Sequence, residues 1–137
     1  MIIAVIDGQG GRLGSLFIAS LHEKLSSDHE ILAIGTNTMA TSAMLKAGAN
    51  HAATGENPVI VAAKRADILV GPIGILVADA LLGEITPSMA VAVGQSSAVR
   101  ILIPVNQCST IIAGIHQQTI SRLIEDAVNQ VLAVIEE

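Results

Sequence analysis

Two patterns of apolar and polar positions recur along the chain. Short runs that are apolar throughout, such as "IIAVI" at Ile2–Ile6, precede stretches whose apolar residues return every three or four positions. The first pattern predicts strands buried on both faces and the second predicts helices that cover them. Strand one falls at Ile2–Ile6 and helix one at about Gly11–Leu25. Leu13, Leu16, Phe17, Leu21 and Leu25 form the inner stripe of that helix, and Arg12, Ser15, His22 and Glu23 face outward. Strand two spans Glu30–Ile34 and runs into "GTNT", a polar loop rich in helix-capping residues. Helix two covers "ATSAMLKAG", with Gly48 as its C-terminal cap.

A short third strand is expected at His51–Ala53. Asn57 and Pro58 read as an N-cap and a first helical residue, opening a helix that ends at Arg65. The enclosed "VIVAA" would also suit a strand. Strand four falls at Asp67–Val70, before "GPIG". The stretch "ILVADALLGEI" at 75–85 has no single period. Thr86 as N-cap and Pro87 at the first helical position open the next helix. Strand five is Arg100–Val105, followed by "NQCS", and Ser109–Ala113 suits a sixth strand. The last helix runs from about Thr119 to Ile135, with Ile120, Leu123, Ile124, Ala127, Val128, Val131 and Ile135 inward. The sum is a single domain over 1–137. Its fold class is α/β: a doubly wound, Rossmann-like, mostly parallel sheet of five to six strands in an α/β/α sandwich with right-handed crossovers.

Composition narrows the function classes. Hydrophobic residues make up 51% of the 137 and charged ones 14%, which excludes a disordered chain and favours self-association. The net charge is −5 and the single Phe is the only aromatic residue, so neither a cationic patch nor a stacking platform for nucleic acid is present. An adenine ring would have to lie between aliphatic side chains. One cysteine, Cys108, excludes an intrachain disulfide. The N-terminus carries no basic leader, and no stretch reaches membrane-spanning length. A cytoplasmic homodimer or higher homo-oligomer is the expectation.

In an open α/β sheet, ligands bind outside the carboxyl ends of the strands, where the strand order reverses. That rule selects five loops: Asp7–Gly11, Gly35–Thr38, Thr54–Asn57, Gly71–Gly74 and Asn106–Ser109. The first carries the strongest signal. Gly8, Gly10, Gly11 and Gly14 would let the backbone approach a phosphate at a helix N-terminus. The spacing is a near miss to G-x-G-x-x-G: counting from Gly14 puts Gln9 at the first glycine, and counting from Gly8 leaves one residue too many. The acidic residue that usually follows strand two is replaced by Thr36 and Asn37, which could bond a ribose or a 2′-phosphate. The candidate ligand-binding residues are therefore Asp7, Gly8, Gln9, Gly10, Gly11, Thr36, Asn37, Thr54, Gly71 and Asn106. NAD(P) or another nucleotide suits them, and the sequence does not choose among these.

Other candidates have plainer readings. Asp7 could hold a magnesium ion or a ribose hydroxyl, but such a residue most often caps its own turn. His22, His29, His51 and His116 lack partners at metal-ligand spacing. Cys108 has no base beside it in the sequence. Glu56, Asp79 and Glu84 lie near loops and suit general bases, although solvated or capping roles are commoner. Thr41 and Ser42 could reach an anion over helix two or simply form a small-residue packing face.

"GGRLGSLF" resembles the fingerprint turn of prephenate-dehydrogenase-like Rossmann domains. "AVIDGQGG", "GTNTMATSAMLKAGANHAATGEN", "GPIGI", "LGEITPSMA" and "ILIPVNQC" together resemble a family of small uncharacterised bacterial proteins known as a domain of unknown function. That resemblance spans nearly the whole chain and implies no activity or catalytic residue. Two readings follow. One is a protein that binds a nucleotide or other phosphate-containing small molecule at the glycine turn, as an enzyme completed by a second subunit or as a sensor. The other is a non-enzymatic oligomeric scaffold or sensor with no nucleotide ligand.

Overall fold

The computed structural model of the chain describes residues 1–105 and 109–137. Five strands form one parallel sheet: β1 (Ile2–Asp7), β2 (Glu30–Gly35), β3 (His51–Thr54), β4 (Ile68–Pro72) and β5 (Val99–Ile103). Their order is β3-β2-β1-β4-β5, so the direction of winding reverses between β1 and β4. The register pairs Asp7 with Gly35 and Gly35 with Thr54, which brings the carboxyl ends of β1, β2 and β3 to one edge. The helices are α1 (Arg12–His22), α2 (Thr38–Lys46), α3 (Glu56–Arg65), α4 (Pro87–Gln95) and α5 (Ile120–Glu136). A single 3-10 turn, Ile73–Leu76, follows β4.

Side-chain alternation along the strands divides the core in two. Ile3 and Val5 of β1, with Ile31, Ala33, Ile68 and Val70, pack under α1, α2 and α5. Ala4 and Ile6, with Ile34 and Leu69, pack under α3 and α4. The apolar runs are continuous because both faces of the sheet are covered. Phe17, Ile18 and Leu21 seat α1, while Val128 and Val131 seat α5, all of them fully buried. The three-layer α/β/α architecture is the one that the sequence pattern predicts.

Several boundaries differ from the sequence reading. Helix α1 stops at His22, and Leu16 lies on its exposed side, where Ile18 takes the buried place. Helix α2 begins at Thr38, because the Asn37 side chain caps it by accepting from the Ala40 amide at 2.9 Å. Gly48 follows its last turn with φ 125°, a conformation that suits glycine. Helix α3 begins at Glu56 after an N-cap at Gly55, so Asn57 and Pro58 lie inside its first turn and "VIVAA" is helical. Strand β5 ends at Ile103, short of Val105. Residues 109–113 form no strand; they lie in exposed, irregular chain. No helix among the described residues is long and apolar enough to cross a membrane.

Candidate functional site

The chain leaves β1 through a tight turn closed by the Gly11 amide donating to the Gly8 carbonyl at 2.9 Å. Gln9 enters that turn with φ 50°, which is uncommon for a residue with a side chain. Asp7 lies beneath it, 6% exposed. Its Oδ1 accepts from the Gly8 amide at 2.8 Å and its Oδ2 from the Gly14 amide at 2.7 Å. Burial raises the pKa of this carboxyl, the two amides oppose that, and the charge of Glu84 adds to the rise. Asp7 therefore fastens the turn to the first turn of α1, with each of its oxygens engaged by a backbone amide.

The glycines divide by role. A Cβ on Gly11 would lie 2.7 Å from Cα of Ala40, and Gly11 has φ 72°. It is the point where the start of α1 meets the backbone of α2. A Cβ on Gly14 would meet Sδ of Met44 at 2.5 Å, so this glycine sets the approach of α1 to its neighbours. A Cβ on Gly8 would fall 2.6 Å from Oγ1 of Thr36. Gly10 alone in this turn is open: nothing lies within 4 Å of its would-be side chain. The amides of Gly10, Arg12 and Leu13 make no hydrogen bond among the described residues, as expected for donors at a helix N-terminus. Arg12 is exposed beside them.

The end of β2 is organised by a residue from elsewhere in the chain. Glu84 extends from the loop between the 3-10 turn and α4 and reaches the glycine turn. Its Oε1 accepts from Oγ1 of Thr36 at 2.6 Å, Nδ2 of Asn37 at 2.7 Å and the Gln9 amide at 3.0 Å, and its Oε2 accepts from Gln9 at 3.2 Å. Asn37 Nδ2 also donates to the Gln9 carbonyl at 2.9 Å. Partial burial raises the Glu84 pKa, but the bonds from Thr36, Gln9 and Asn37 outweigh it and the net shift is downward. Thr36 and Asn37 were expected to face a ligand; both spend their donors on Glu84 instead. The sequence suits Glu84 to a general base or a solvated or capping acid, and no local pattern in "LLGEI" signals that it reaches the ends of β1 and β2.

The remaining predicted residues lie apart from this cluster. Gly71 is buried inside β4, where a Cβ would strike the carbonyl of Ile6 at 2.5 Å, so it serves strand packing. Thr54 lies two strands away from β1, and its hydroxyl bonds that of Thr41 at 2.7 Å. That contact ties α2 to β3, while Thr41 also donates to the Asn37 carbonyl at 3.0 Å within the first turn of α2. Ser42 is exposed. Asn106 and Cys108 lie outside the described residues. His51 faces Glu30 at 3.5 Å on the surface, and His29 lies 3.1 Å from the N-terminal amine. A cavity of about 680 Å³ lies away from this cluster, between α3 and α4, lined by Ile60, Lys64, Val91 and Gln95.

Residues 2–136 match a domain of unknown function, DUF3842, and the chain belongs to that family. No curated protein matches the sequence significantly. Among solved structures, a dodecameric FMN-dependent Ubix-like decarboxylase from Escherichia coli O157:H7 aligns over 99% of this chain and 94% of its own, at 14% identity and a TM-score of 0.45.

Proposed function

We propose that this member of the DUF3842 family binds a nucleotide or another phosphate-containing small molecule at the turn after β1. The observation that carries the reading is Gly10. It is exposed and open on its side-chain face, beside the amides of Arg12 and Leu13, which make no hydrogen bond among the described residues. Such amides, with the partial positive charge of the helix end, bind phosphate without needing a lysine. The turn lies at the carboxyl end of β1, next to the point where winding reverses, which is the ligand position in sheets of this kind. Arg12 adds a cation that has no partner among the described residues.

Thermal unfolding in the presence of NAD, NADP, ATP or GMP tests the reading. A ligand at 100 times its dissociation constant adds about 2.7 kcal/mol of stability. A clear shift with at least one of these supports the proposal, and none with any of them contradicts it.

The second reading, an oligomeric scaffold or sensor without a nucleotide, draws on a different observation. Leu82 is 97% exposed and Ile111 93%, and large apolar side chains in such positions favour contact with a second copy.

A further inference from the structure

We propose that the cavity between α3 and α4 binds a single-chain aliphatic carboxylate, a free medium-chain fatty acid. Its tail lies along the groove and its carboxylate at the end where Lys64 stands. The site is separate from the glycine turn, and the inference does not depend on the nucleotide reading.

The fold gives the groove two unlike ends. Helices α3 and α4 each lead into a strand of the parallel sheet, β4 and β5, so both run from its carboxyl edge to its amino edge. They therefore lie in the same direction, and their last turns meet at the edge opposite the glycine turn. There the Ser96 hydroxyl donates to the Ala63 carbonyl at 2.5 Å and accepts from the Ala98 amide at 3.1 Å. That bond ties the end of α4 to α3 and holds the groove's width. Small side chains at Ala63 and Ala92 leave the gap, and Ile60 and Val91 supply the larger apolar surface. A volume of about 680 Å³, mostly apolar with a few polar groups, is that of a small-molecule site.

The composition of the groove selects the tail. The chain's one aromatic side chain, Phe17, is fully buried under α1 on the other face of the sheet. No ring is therefore available here to stack on a base or another planar ligand, and an aliphatic chain is what Ile60 and Val91 can hold.

Charge selects the head. The chain carries 12 acids against 7 cations, yet among the described residues that line the cavity none is acidic. Lys64 and Arg65 lie in the last turn of α3, and the Arg100 guanidinium donates to the Ser96 carbonyl at 2.6 Å. Three of the seven cations thus gather at one end of the groove, and none of the three has a carboxylate partner among the described residues. Asp67, the acid nearest in sequence, is engaged by the Ile2 amide at 2.7 Å. Cations at a helix end also offset the partial negative charge of the last carbonyls. Of the three, Lys64 is the one that lines the cavity, with Gln95 and Ser97 as neutral donors beside it.

Calorimetry at neutral pH with decanoate, hexanoate and decanol tests the assignment on the wild type, Lys64→Ala and Val91→Asp. Both side chains are exposed, Val91 at 53%, so the variants should fold, which circular dichroism checks. The wild type should bind decanoate about tenfold or more tightly than hexanoate, since each methylene taken fully out of water is worth about fourfold. It should prefer decanoate to decanol by about threefold or more, the scale of an exposed charge pair. Lys64→Ala should lose that preference and still bind decanol, an effect that a cation serving only the helix end would not produce. Val91→Asp should lose both ten-carbon ligands. No binding of decanoate by the wild type overturns the inference, as does equal binding of decanoate and hexanoate. A preference for decanoate kept by Lys64→Ala overturns the assigned head group, and this arm stands even if Val91→Asp does not fold. Unchanged binding by a folded Val91→Asp would place the ligand elsewhere. If Val91→Asp instead lowers the mass seen by light scattering while the wild type binds no decanoate, the groove is an interface between copies of the chain and the inference is overturned.

Discussion

The Gly14 amide donates to Oδ2 of Asp7 at 2.7 Å, joining the last residue of β1 to the first turn of α1 across the glycine turn. The other oxygen of Asp7 holds the Gly8 amide at 2.8 Å. The position of the turn thus depends on a buried, doubly bonded carboxylate rather than on the glycines alone. Asp7→Asn would keep the shape but turn an amide NH₂ towards one of the two backbone donors. A loss of about 1–3 kcal/mol is expected, the usual cost of an unsatisfied buried donor. Urea denaturation at neutral pH measures it.

The two carboxylates should give opposite pH signatures. Glu84 has a lowered pKa in the folded chain, so its stabilisation is present above the ordinary carboxylate range and is lost as pH falls through the lowered value. Glu84→Ala should therefore destabilise most at neutral pH and least in acid. Asp7 has a raised pKa, so the folded state holds its proton longer, and stability falls as pH climbs from the ordinary to the raised value. In Asp7→Asn that slope should disappear. Denaturant midpoints measured across the acid range check both signs.

Neighbouring glycines should tolerate a methyl group very differently. Gly11→Ala drives a Cβ to 2.7 Å from the α2 backbone at φ 72°, and roughly 1–3 kcal/mol of stability should be lost. Gly10→Ala meets nothing within 4 Å and should stay within about 0.5 kcal/mol of wild type. Paired chemical denaturation curves give the comparison. Equal effects would mean that the start of α1 does not meet α2 as described.

Self-association should depend on the exposed apolar residues. Ile111, 93% exposed, lies in the irregular chain before α5, and Ile115 is half exposed in the same stretch. Light scattering at micromolar concentration is expected to give a mass of two or more chains, and Ile111→Lys should lower it. A monomeric wild type would contradict the expectation.

The fold was legible because each strand is apolar on both faces and each covering helix has a stripe of its own. Ile2–Asp7 and Ile120–Glu136 show the two patterns most plainly. Helix starts were less legible. Asn57-Pro58 resembles a cap followed by its proline, yet the helix is opened two residues earlier by Gly55, whose φ of 111° only the folded backbone reveals. The same holds for the site. Glycine density marked the turn, but whether a glycine faces a ligand or a neighbouring helix depends on distant residues: Ala40 for Gly11, Met44 for Gly14 and Ile6 for Gly71. Glu84 was beyond local reading, since the loop at 75–85 has no period and its destination is set by Leu81 and Ile85 entering the core.

The central claim is that Gly10 is the open contact point for a phosphate at the start of α1. Gly10→Val places a branched side chain there, its Cβ in open space with nothing within 4 Å. Circular dichroism should show the variant folded as the wild type is. Calorimetry with whichever of NAD, NADP, ATP or GMP stabilises the wild type should then show affinity reduced by about tenfold or more, the equivalent of roughly 1.4 kcal/mol. A folded Gly10→Val protein that binds the same ligand with unchanged affinity would show that the turn is a corner of the fold and not the ligand site.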